Sequence, residues 1–153
     1  MHDRSYMTSA LPDPDQRPEF YAGVAPKRAM AWVIDMILSA IIAAIVVPFT
    51  FFIAIFFFPF LMLTVNLVLR WVTLAIWGAT PGMCLMALEM RNSDGAHPDA
   101  MTAFLHASGS TVVFSIFPLH LVSMGLILVD DRRQGLVDKA LQTVIHNRAY
   151  QPA

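Results

Sequence analysis

Residues 28–77 read RAMAWVIDMILSAIIAAIVVPFTFFIAIFFFPFLMLTVNLVLRWVTLAIW, and between Asp35 and Arg70 no side chain ionises. A helix needs about 20 residues to cross a hydrocarbon core. The run is therefore too long for one span and about right for two. A soluble chain of 153 residues has no core large enough to hide it. The stretch predicts a helical hairpin across a bilayer, with one acid in the first arm and one base in the second.

Composition points the same way. Only 14% of the residues are charged, against about a quarter in a soluble domain. The class is an all-α integral membrane protein, and the length allows one membrane domain, expected over residues 27–145. A net charge of −1 argues against nucleic acid as a partner. A single cysteine, Cys84, excludes an intramolecular disulfide and a cysteine-based metal site. It reads as a small apolar packing residue.

Residues 1–26 are polar and rich in proline, with Asp3, Asp13, Asp15 and Glu19 interspersed. Such a segment buries too little surface to order itself, so a disordered N-terminal tail is expected. Residues 146–153 are expected to form a C-terminal tail. No cleavable signal peptide is visible at the start, and the first apolar helix serves as an uncleaved anchor. That helix is expected from about residue 28 to 50, with Pro48 near its far end. The phenylalanine-rich residues 49–58 hold the turn, and the second helix runs from about residue 59 to 77. Trp71 and Trp77 fit an interfacial belt.

GATPG at residues 78–82 then breaks the helix. Residues 87–91 alternate apolar and polar, as a short strand or an interfacial segment would. Residues 92–95 (NSDG) signal a turn, and Asp99 is placed to cap a helix. Residues 100–129 lack Asp, Glu, Lys and Arg and are broken at Phe117-Pro118. One reading is a single tilted span preceded by an interfacial helix. The other is a pair bent at Pro118. Arg4, Arg17, Lys27 and Arg28 precede the spans, and Arg132, Arg133, Lys139 and Arg148 follow them. The positive-inside rule puts both termini in the cytoplasm, which requires an even number of crossings and favours the bent pair. The expected location is a bacterial inner membrane.

Charged residues inside the bilayer carry the chemistry. Arg28 and Asp35 are seven residues apart, about 10 Å along one helix face. Arg70 is the better partner for Asp35, because a turn near residues 51–52 sets the two at equal depth. A charge at mid-helix costs about 2.5–3.5 kcal/mol on insertion scales, and a pair shares that cost. The expected contact is Asp35 with Arg70, as a clamp on helix register or as an ion or proton site. Ser39 and Asn66, with Thr73, extend the polar stripe. His106 and His120 are candidate proton relays or plain packing residues. His2, His97 and His146 stand alone, and no metal-ligand spacing, nucleophile motif or cofactor motif is present. Neither an enzyme nor a cofactor is expected.

Together these pieces resemble the RDD family of small membrane proteins, over residues 21 to about 145. They are RAMAWVID at 28–35, GATPG at 78–82, RNSDG at 91–95, and RRQGLVD at 132–138 with Thr143. The family is named for an arginine and two aspartates, which by motif position look like Arg28, Asp35 and Asp138. Three positions depart from its pattern: Met83 where lysine is usual, Val137 where histidine is common, and His106 where arginine is common. The resemblance implies a membrane protein for which transport of ions or solutes has been suggested. It also implies that Asp138 returns to cap or pair with Arg28.

Two functions follow as expectations. The first is transport, most concretely cation/proton exchange with Asp35 titrating and Arg70 as countercharge. Three or four helices are few for a pathway, so this requires a homo-oligomer or a larger membrane complex. The second is a non-catalytic accessory protein that docks on such a complex or binds lipid.

Overall fold

Two long helices form in the computed structural model, which describes residues 10–148. Helix α1 (Val24–Phe49) has 26 residues and α2 (Phe58–Trp77) has 20. At 1.5 Å per residue they are about 39 and 30 Å long, enough to cross a bilayer core. Gly23 precedes α1 at φ 67°, and Pro26 sits in its first turn, where a missing N–H costs nothing. A 3-10 turn at Ile53–Phe57 joins the helices. The phenylalanines between α1 and α2 face outward, Phe51 at 89% exposed and Phe56 at 83%, as lipid-facing side chains do.

The hairpin packs through a stripe on α1. Ala31, Asp35, Ser39, Ala43 and Val47 are all buried at intervals of four residues. Ala, Ser and Ala at this spacing let a neighbouring backbone come close, the usual device of helices packed in lipid. Asn66 Nδ2 of α2 donates to Ser39 Oγ at 3.0 Å, and Ser39 Oγ donates to the Asp35 carbonyl at 2.7 Å. We expect a double-mutant cycle with Ser39→Ala and Asn66→Leu to give a coupling of about 0.6 kcal/mol, as for other interhelical hydrogen bonds in membranes. Unfolding of the four proteins in one detergent measures it.

The apolar core lies at one end of the hairpin. Val24, Ala31, Leu74, Ala79, Met83, Leu88, Met90, Ala103 and Ile145 form it. Thr80 caps α3 (Pro81–Leu85) by accepting from Met83 N at 3.2 Å. Strand β1 (Leu88–Asn92) follows and pairs antiparallel with β2 (Thr143–Asn147), with Met90 opposite Ile145. The alternating stretch expected at residues 87–91 thus forms a strand from Leu88, one residue later, and that strand closes the core.

The tails expected on either side are shorter than composition implies. From residue 10 the chain packs on the sheet: Leu11 and Tyr21 are buried with Val144, and Tyr21 Oη donates to Pro12 O at 2.8 Å. Asn147 Nδ2 donates to the carbonyls of Glu19 and Ala22, and Lys27 Nζ donates to Asn147 Oδ1. The composition argument treats the segment alone, whereas here β2 supplies the surface that orders it. Residues 146 and 147 likewise belong to β2 rather than to a tail. The rest of the expected tails, residues 1–9 and 149–153, lies outside the described residues.

Residues 100–129 form α4 (Ala100–Ser115) and α5 (Phe117–Val129), bent by 116° at Ile116. Asp99 caps α4 by accepting from Thr102 N at 2.8 Å. Pro118 falls in the first turn of α5, so the break comes just before it. At about 24 and 20 Å, neither helix spans a bilayer core. Trp71 Nε1 donates to Ala100 O at the start of α4, and the Trp32 ring packs at a tilt against Phe114 at its end. After α5 the chain returns to Arg28 through α6 (Leu136–Leu141). Both ends of the bent pair therefore lie at the end of the hairpin that carries the core.

Candidate functional site

Arg28, His106 and Asp138 meet where α1, α4 and α6 converge. Gly135 and Asp138 have the three-residue spacing of a helix-capping box, and the Asp138 carboxylate turns back to accept from Gly135 N at 2.8 Å. That turn aims Asp138 at its other partners. Arg28 Nη1 donates to Asp138 Oδ2 at 2.6 Å, and His106 Nε2 contacts Oδ1 at 2.7 Å. Arg28 Nη1 also donates to Arg133 O at 3.2 Å. Gly109 of α4 makes room: a Cβ there would lie 3.1 Å from Val137. The Arg28–Asp138 contact implied by the family resemblance is present in the structure.

Asp138 is 1% exposed. Burial alone would raise its pKa. The Arg28 charge, the His106 ring and the Gly135 N–H outweigh burial and hold the carboxyl well below the usual carboxylate range. A carboxylate only accepts, so His106 Nε2 carries the hydrogen it shares with Asp138. His106 Nδ1 is buried without a hydrogen-bond partner among the described residues.

Asp35 and Arg70 do not pair. Their depths do match, as the Ser39–Asn66 bond one turn away shows, and both line one narrow crevice with Thr80 and Pro81. Yet Asp35 Oδ1 accepts from Gly82 N at 2.7 Å. The first N–H groups of a helix have no intrahelical acceptor, and Gly82 lies in the first turn of α3. A Cβ on Gly82 would stand 2.1 Å from Ala31 O and 2.9 Å from Asp35 Oδ1. Only glycine brings α3 this close, and its backbone takes the acceptor expected for Arg70. GATPG read from sequence as a helix breaker is also the partner of the intramembrane acid.

A cavity of about 560 Å³ opens between α1, α2, α4 and α5. Arg28, Asn66, Arg70, His106, His120 and Asp138 line its polar side, and Trp32, Leu63, Val113 and Met124 line its apolar side. The His120 ring meets Phe114 edge-on at 5.5 Å and lies tilted against Trp32 at 6.5 Å. All six of these polar residues were legible from sequence as candidates, but the contact of His106 with Asp138 was not. The GLVD spacing of a capping box was the available signal.

A lipid-crossing helical hairpin closed at one end by a small sheet, a bent helix pair and a buried charge cluster defines a helical integral membrane protein. A model of the RDD family matches residues 21–142, and the chain belongs to that family. No curated protein and no solved structure matches it.

Proposed function

We propose that this RDD-family protein carries ions or other small solutes across the bilayer, with the cavity between α1, α2, α4 and α5 as its loading site. The observation that supports this reading is the buried Arg28–Asp138–His106 cluster on the cavity wall. Ionisable side chains within membrane helices are expensive and mark ion or proton paths by default. In this reading His106 carries the exchanged proton, and Asp138, kept ionised by the fixed charge of Arg28, orients its ring. Asp35 becomes a structural residue, since Gly82 already engages its carboxylate. One copy has few helices with which to enclose a path, so transport takes a homo-oligomer or a larger complex. The cluster of Lys27, Arg28, Arg132, Arg133 and Lys139 supports cytoplasmic termini in a bacterial inner membrane. No enzymatic role is assigned.

The test is ion and proton flux in liposomes holding only this protein. Wild type should dissipate an imposed pH gradient when a permeant salt is present. Asp138→Asn and His106→Gln should fall to the rate of empty liposomes. If wild type matches empty liposomes for protons, sodium, potassium and chloride, the transport reading is abandoned. One observation favours an accessory role instead: only 6% of the apolar window of the second span is buried within the chain. Co-purification of a stoichiometric membrane partner, together with absent flux, would establish that role.

A further inference from the structure

Arg70 is the clue to what the cavity holds. Its guanidinium forms no hydrogen bond or ion pair with any described residue, and its Nε is buried without an acceptor. Asp35 and Asp138 lie near enough to feel its charge. Both are already engaged, Asp35 by Gly82 N and Asp138 by Arg28, His106 and Gly135. A guanidinium offers five donors in a planar fork that matches a carboxylate or a phosphate. In a low-dielectric setting, donors left without acceptors are costly. An anion in the cavity would meet that need.

The rest of the lining has room and apolar surface for more than a bare ion. The volume of about 560 Å³ falls among organic-ligand sites, which run to roughly 300–1,000 Å³ and are mostly apolar with a few polar groups. Trp32, Leu63, Val113 and Met124 present hydrocarbon and indole surface. Ser110 adds a hydroxyl with no protein partner among the described residues. An inorganic ion would satisfy Arg70 and leave those walls uncovered.

We propose that the cavity binds an anionic amphiphile, with its head group on Arg70 and its hydrocarbon chain along Trp32, Leu63 and Val113. An anionic phospholipid and a free fatty acid share this chemistry. The proposal takes from the transport reading only that this cavity receives a ligand. Binding without flux would sink transport alone, and flux without amphiphile binding would sink this proposal alone.

Native mass spectrometry of the full-length protein in a neutral detergent tests it. Phosphatidylglycerol, phosphatidylcholine, palmitate and inorganic phosphate are titrated separately. A single saturating adduct is expected with phosphatidylglycerol or palmitate, and the tighter of the two identifies the source. Arg70→Gln should weaken that adduct about tenfold or more, the loss that follows removal of a charge-assisted hydrogen bond. Arg70→Lys should keep the preference for anions. Ser110→Phe should block binding while leaving the charge in place. Thermal melting checks that each variant folds, and if Arg70→Gln does not fold, Arg70→Lys and Ser110→Phe decide the matter. The proposal is overturned if phosphatidylcholine binds as tightly, if inorganic phosphate alone saturates the site, if folded Arg70→Gln or Ser110→Phe binds like wild type, or if folded Arg70→Lys loses the preference for anions.

Discussion

Asp138→Leu lowers the unfolding free energy by about 3–5 kcal/mol, the cost of removing one partner from a buried ion pair. Asp138 is 1% exposed and Arg28 16%, so the arginine left behind has little water to turn to. His106 Nε2 and Gly135 N lose their acceptor in the same step. The double variant Arg28→Met with Asp138→Leu should recover part of the loss, because no uncompensated charge remains. Denaturant unfolding in a fixed detergent, followed by near-ultraviolet circular dichroism, gives these values. A single-variant cost below about 1 kcal/mol, the range of surface pairs, would show that the cluster is solvated.

The same residue sets an acid limit. The folded-state pKa of Asp138 is depressed. Its stabilisation is therefore complete above the unfolded carboxyl value of about 3.9 and is lost as pH falls through that value toward the lower folded one. Asp138→Asn removes this part of the acid slope. A wild-type and Asp138→Asn pair with identical stability profiles from neutral pH down to pH 3 would contradict the assignment.

Gly82→Ala is expected to destabilise by about 1–3 kcal/mol from overpacking alone. Its Cβ would lie 2.1 Å from Ala31 O, and a helix backbone cannot swing aside as a side chain can. Moving α3 away also strips Asp35 of its Gly82 N–H, leaving a buried carboxylate short of a donor. The double variant Gly82→Ala with Asp35→Ala should therefore lose less stability than the two single losses summed, since each removes the same bond. Strict additivity in a double-mutant cycle would mean that the bond contributes nothing.

The hairpin, its turn and the break near Pro118 were legible because each is a local property. Apolar run length, proline and the absence of charge act within one segment of chain. Equal depth for Asp35 and Arg70 was legible too, since it follows from counting residues on either side of the turn. The contact was not. It depended on α3, a five-residue helix that folds back on α1 through a glycine. Nothing in residues 28–77 announces that competitor. The ordered segment from residue 10 was missed for a related reason: its surface is completed by β2, more than a hundred residues later.

The chain by itself determined that this protein lives in a bilayer, has two long spans and brings charge into them, because transfer free energy is summed residue by residue. Only the tertiary structure decided which charges meet. Asp138 joins Arg28 and His106, and Asp35 turns to a backbone N–H, because long-range partners compete for each carboxylate and the winner is set by how closely the backbones approach.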